Sequence, residues 1–247
     1  MNAHPQCRFD TSKTELAPRR TDIPAGISAK EYPPNRTVEN CRAQLSRIEA
    51  DPNDQGAKLW LADLIHDRLF RRYIHPVDAT PRDDKHGFAI MALSCLLIET
   101  LECFWLGLPD SQNESQTEKM LDANGDEVNV NGGRVFSSFF RNRSAILSAL
   151  APTAAEFHNE DTFYRHIRCG ILHQGETTGG WRIARHTSWP CLDKDDRRIN
   201  ATLFHKELGN ALTRYYQHLK QAASTDIPWI RAKKKLTHIC NQCSPPK

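Results

Sequence analysis

The chain carries almost no excess of either charge. Its 247 residues hold 33 Lys and Arg against 30 Asp and Glu, a formal net charge of +3, too weak a field to capture nucleic acid over the whole surface. Even that surplus is local. Arg231, Lys233, Lys234, Lys235 and Lys247 stand in the last seventeen residues with no acid among them, so the remainder is slightly acidic. Glycine is sparse at 12 residues, and the familiar glycine motifs are missing. There is no phosphate loop ending in Gly-Lys-Ser/Thr, no G-x-G-x-x-G and no G-x-S-x-G, and H-E-x-x-H is absent too. Those absences exclude P-loop, dinucleotide-binding, α/β-hydrolase and zincin chemistry. The N-terminal MNAHPQCRFDTSK has no apolar centre and is not a signal peptide. The longest apolar run, Phe88 to Leu108, encloses Glu99 and Glu102, which a bilayer would penalise. Eight scattered cysteines without a secretory signal read as reduced thiols rather than a disulfide framework. A cytoplasmic protein with no membrane span is expected.

What is present is a core. Hydrophobic residues make up 39% of the chain, with five Trp and ten Phe, enough to fold one domain. Residues 1–35 hold five prolines and little periodicity, so an irregular N-terminal arm is expected there. Helical spacing follows at Val38, Cys41, Leu45 and Ile48, then from Lys58 to Ile74, Phe88 to Leu106, Val135 to Leu150, Asp161 to Leu172, and from an N-cap at Asn200 to about Ala222. A loop insertion at 107–133 separates the third and fourth of these. Its DANGDEV segment resembles part of a calcium loop but lacks the full ligand series, and a small hairpin is the better reading. Trp181 to Arg185 reads as one short strand. The predicted architecture is an all-α helical bundle at 36–228, with the arm before it and a basic, Cys-containing tail at 229–247.

The informative stretch is Phe163 to Glu176, FYRHIRCGILHQGE. Arg168 and His173 are separated by four residues just before a glycine-terminated helix end. The always-charged guanidinium suits a phosphate, and an imidazole titrating near neutrality suits proton transfer. Together they form a minimal inventory for cutting RNA without a metal. On an ideal α-helix, five residues turn about 500°, leaving the two groups about 140° apart and about 7.5 Å along the axis. They can meet if Gly170 or the last turn bends, or if a second copy of the chain supplies the other half.

This stretch resembles the HEPN superfamily, whose ribonucleases carry Arg-x4–6-His late in an all-α bundle. The aromatic residues before Arg168, the small and apolar residues inside the motif and the Gln-Gly exit after His173 carry the likeness. The resemblance implies a metal-independent endoribonuclease with no cofactor, acting on RNA as a homodimer. Similar plasmid- and phage-associated members are often orphan proteins of unknown activity; the expected role is a toxin or defence effector, with an antitoxin as possible partner. Arg168 and His173 would be catalytic. Where that family often has Asn, Asp or His after the Arg, this chain has Cys169, and Gly175 stands where some members have Tyr. Glu99 or Glu102 is expected to orient Arg168, and Arg165, His166 and the Lys233–Lys235 cluster to attract RNA. The alternative is a non-catalytic module binding a nucleotide or a protein in the same cleft.

Two further stretches resemble ligand or nucleophile sets. His166, Cys169 and His173 share one α-helical face, but zinc signatures do not use this spacing; Cys169 with His173 has the spacing of a thiolate–imidazole pair, but a lone Cys in an apolar stretch is more often a small core residue. His238, Cys240 and Cys243 include a single Cys-x2-Cys without a second half. An exposed tail is expected there, with Cys7 or Cys191 as the fourth ligand should zinc bind.

Overall fold

The computed structural model describes residues 36–78, 86–112, 118–143, 147, 157, 160–186 and 189–243. The predicted N-terminal arm and the end of the helix expected at Val135 to Leu150 lie outside these residues. Helix α1 (Val38–Ala50) is capped by Thr37, whose hydroxyl accepts from the Asn40 amide. Helix α2 (Gln55–Leu69) starts at Asp54 in the same manner and runs on through a π turn (Phe70–Ile74) into the short α3 (His75–Asp78). Helix α4 (Gly87–Leu106) is the centre of the bundle and packs against α5, α6, α7 and a long π-helix.

Its composition explains that position. A helix that is apolar all round gains from burial on every side, and eleven of its twenty residues are buried. By length and composition α4 could also cross a bilayer. Here, however, it is wrapped by its neighbours, and its two carboxylates find partners inside the protein. It ends at Gly107, whose φ of 71° is the left-handed conformation favoured at a helix C-terminus.

The insertion folds as expected around Asp122. That side chain accepts from the amides of Asn124 (2.8 Å) and Asp126 (3.0 Å), closing the antiparallel hairpin of β1 (Lys119–Leu121) and β2 (Glu127–Asn129). Helix α5 (Gly132–Arg143) follows. A three-stranded sheet in the order β3 (Arg182–Ala184), β5 (Arg198–Asn200), β4 (Leu192–Asp193) sits beside the bundle, with β3 parallel and β4 antiparallel to β5. Asn200 ends that sheet and caps α6 (Ala201–Gln221), as the sequence indicates.

The C-terminal segment differs from expectation. In place of an exposed tail, Ile227–Gln242 forms α7, which buries Trp229, Ala232, Lys235, Leu236 and Cys240. Its Pro228 occupies the first turn, where proline is tolerated, so the residue that reads as a breaker marks a helix start.

Candidate active site on a π-helix

The residues that carry Arg168 and His173 are held by a ring cluster. Phe163 packs against Phe136 and Phe204 at 5.3 Å and against Phe157 at 4.6 Å. These contacts fix the segment between α5 and α6. From Glu160 to Gln174 the backbone is wound as a π-helix. Its wider i→i+5 winding brings residues five apart toward one face, where an α-helix would splay them by about 140°. Arg168 Nη1 consequently lies 3.3 Å from His173 Nε2. The two groups converge within one chain, so the angular argument for a second copy falls away.

The end of this helix is equally specific. Gly175, at φ 71°, reverses the chain. Its amide donates to Ile171, and that of Glu176 donates to Gly170. A Cβ on Gly170 would stand 2.5 Å from the Glu176 carbonyl oxygen, so only glycine allows the returning strand to lie this close.

Glu99 of α4 grips the other edge of the guanidinium. Arg168 Nε donates to Oε1 at 2.6 Å and Nη2 to Oε2 at 3.3 Å, a two-point carboxylate contact. Arg168 is 9% exposed and Glu99 6%. Burial works against the arginine's charge, but the Glu99 hydrogen bonds and charge outweigh it and raise the Arg168 pKa. Ser111 of the insertion donates to Glu99 Oε2 at 3.0 Å.

With Nε and Nη2 committed, Nη1 is the edge turned toward His173. A guanidinium has no lone pair to offer, so Nε2 of His173 accepts and the neutral imidazole carries its proton on Nδ1. His173 is solvent-exposed. The pair therefore presents a donor edge and an accessible proton-transfer group side by side.

Of the other predicted residues, Glu102 is not a partner of Arg168. It is fully buried and accepts from Ser138 (2.8 Å) and Arg143 Nε (3.1 Å). Glu99 and Glu102 are three residues apart on α4, which turns them to different neighbours, the π-helix and α5. Desolvation raises the Glu102 pKa against the pull of Arg143. Cys169 is half-buried, and Arg165 is exposed on the same helix. His166 turns away to the returning loop, with Nδ1 2.8 Å from Thr178 Oγ1.

The expected lysine cluster is not a free basic patch. Lys234 pairs with Glu118 at 2.9 Å, and Lys235 is buried, donating to the Pro109 carbonyl. Cys240 is buried facing Cys41, and Cys191 lies at the small sheet. Among the described residues no group of His, Cys, Asp or Glu could hold a metal ion, and Cys7 lies outside them.

Tyr164 is a member that sequence reading missed. The Arg168 guanidinium carbon lies 5.2 Å from its ring centroid, four residues further along the same helix. Its hydroxyl packs on Gly132, where an added Cβ would come within 2.5 Å. Burial pushes the Tyr164 phenol up, with Arg168 opposing.

Compared with protein-family models, curated proteins and solved structures, the chain matches none.

Proposed function

We propose that the protein is a metal-independent endoribonuclease of HEPN type, with Arg168 holding the scissile phosphate and His173 moving protons. The observation that carries this reading is the 3.3 Å contact between Nη1 of the nearly buried Arg168 and Nε2 of the exposed His173, with Glu99 fixing the guanidinium plane. A phosphate oxygen entering at Nη1 would take the place of the imidazole as hydrogen-bond acceptor. It would thereby free Nε2 to accept the proton of the ribose 2′-hydroxyl. The 2′-oxygen then attacks phosphorus, the bond to the 5′-oxygen breaks, and that oxygen is protonated as it leaves. The products are a 2′,3′-cyclic phosphate and a 5′-hydroxyl. The cation stabilises charge on the equatorial oxygens throughout.

One imidazole serves one of the two proton transfers at a time. A second copy of the chain, contributing its own His173, would supply the other, which is the remaining reason to expect a homodimer. A cytoplasmic toxin or defence effector, held in check by an antitoxin, is the biological setting this chemistry suits.

The experiment compares wild type with Arg168→Ala and His173→Ala on a structured RNA in EDTA. Cleavage by wild type and a loss of at least about 100-fold in each variant is expected, the usual scale for general acid–base groups and charge-stabilising donors. Equal cleavage by all three, or none by any, rejects the reading.

A second reading is favoured by Glu99 itself. Because its carboxylate already neutralises Arg168, the pair attracts phosphate less than a bare arginine. In that reading the cleft belongs to a non-catalytic module that binds a nucleotide or protein. Thermal stabilisation by nucleotides that is lost in Arg168→Ala, without any RNA turnover, would select it.

A further inference from the structure

The small sheet beside the bundle carries an aromatic arrangement that the Arg168 site does not use. Four of the five tryptophans serve the core: Trp181 and Trp229 belong to it, and Trp60 and Trp105 pack against it. Trp189 does neither and is 37% exposed. An indole left in water is costly, and this one is deliberately braced. The ring of His186 stacks on it at 4.6 Å with an 18° interplanar angle. The Arg198 guanidinium lies 3.9 Å from its centroid.

Arg198 is oriented in turn by Asp193 at 2.7 Å and Asp196 at 3.2 Å. Asn200, 1% exposed, bonds to the backbone of both His186 and Trp189. Its Nδ2 donates to the carbonyls of His186 (2.5 Å) and Trp189 (3.2 Å), while Oδ1 caps α6. One buried amide thus couples the stack to a core helix. Solvent-facing, with Arg182 as the register partner of Arg198 and Arg197 next to it in sequence, their guanidiniums donating to Asp196 and Gly179, the stack has the chemistry of a base platform. Flat π-surfaces receive nucleobases and neighbouring cations follow the backbone.

We propose that Trp189, His186 and Arg198 form a base-stacking site for single-stranded nucleic acid, separate from the Arg168–His173 pair. Ile183 of the same sheet lies against Gly87 at the start of α4, where an added Cβ would stand 2.9 Å from it. Glu99 is twelve residues further along that helix, about 18 Å at the α-helical rise. The platform therefore engages a different stretch of strand from the one gripped at Arg168. It shares with the proposed nuclease only the class of ligand, and its test reads binding rather than turnover.

The probe is fluorescein-labelled single-stranded oligo(dA), which lacks the 2′-hydroxyl and so survives any ribonuclease, titrated with the full chain and read by anisotropy. Trp189→Ala is expected to weaken binding about tenfold, the loss of one stacked base. Trp189→Phe should retain most of the affinity. Trp189→Leu should behave like Ala, since it restores apolar area without a π-face. The anisotropy reads binding to a strand that cannot be cut, so that failure of cleavage and failure of stacking are read separately. Circular dichroism confirms that each variant is folded. Wild-type affinity in Trp189→Ala overturns the proposal, as does full rescue by Leu, which would mark an apolar protein-docking patch. Equal weakening toward a duplex of the same sequence overturns it too.

Discussion

Removing the Glu99 carboxylate is the sharpest perturbation of the site, because both members of its ion pair are nearly buried, Arg168 at 9% and Glu99 at 6% exposure. In Glu99→Ala the guanidinium loses its contacts at 2.6 and 3.3 Å and remains as an uncompensated charge. Breaking a buried pair in this way costs about 3–5 kcal/mol. At about 2–4 °C per kcal/mol for a chain of this size, the melting temperature should fall by about 6–20 °C. Arg168→Ala should cost a similar amount, since it strands the carboxylate instead. Replacing both by Leu removes both charges, and a buried pair exchanged for apolar residues is often neutral or better. The double variant should therefore recover most of the loss. Thermal and urea unfolding of wild type, Glu99→Leu, Arg168→Leu and the double Leu variant measures this as a double-mutant cycle. Single changes below about 1 kcal/mol would mean that the pair behaves as a solvent-exposed one, and additive losses in the double variant would mean that the two groups are not coupled. Either result refutes the view of Arg168 as a guanidinium locked by Glu99.

Three other outcomes follow from the same packing. Gly170→Ala places a Cβ 2.5 Å from a backbone oxygen, so it should cost about 1–3 kcal/mol in urea midpoints and loosen the turn that carries His173. Trp229→Ala should cost about 3–5 kcal/mol, because that indole is fully buried and donates to the Leu219 carbonyl at 2.8 Å; a tail residue would cost nothing. His205 gives an acid limb to stability. Its Nδ1 lies 2.9 Å from Ser94 Oγ, and burial lowers its pKa below the usual 6.5. The folded state thus binds this proton less readily than the unfolded chain. Its contribution is present above about pH 6.5 and is lost as the pH falls through the depressed value. Urea midpoints should drop on acidification in wild type and drop less in His205→Gln; identical slopes would remove His205 as the cause.

Much of the helical order was legible because α1, α2 and α6 carry apolar residues at helical spacing, α4 is one long apolar run, and Asn200 reads as the cap of α6. The hairpin was legible through its turn residues. What escaped reading has physical causes. An Arg and a His five apart fall on different faces of an α-helix, and a sequence does not announce a π winding, so their approach within one chain had to be seen in three dimensions. The choice between Glu99 and Glu102 was hidden because α4 is apolar all round, leaving no polar face to say which carboxylate looks toward Arg168. Helix α7 was masked by its lysines and by Pro228. The signal was nonetheless present, as Trp229, Ala232, Leu236 and Cys240 recur at helical spacing and are all buried. Tyr164 was adjacent to the motif, but only the glycine at position 132 reveals that its hydroxyl has a place to go.

The most direct test asks whether one phosphodiester touches both groups. Nitrogen-detected spectra of the His173 ring and the Arg168 guanidinium can be recorded in EDTA, with and without RNA made uncleavable by a 2′-deoxy nucleotide at the scissile position. The free protein should show His173 protonated on Nδ1, and saturating RNA should move the His173 Nε2 and Arg168 Nη1 signals together. RNA binding that leaves either group unmoved would contradict the account.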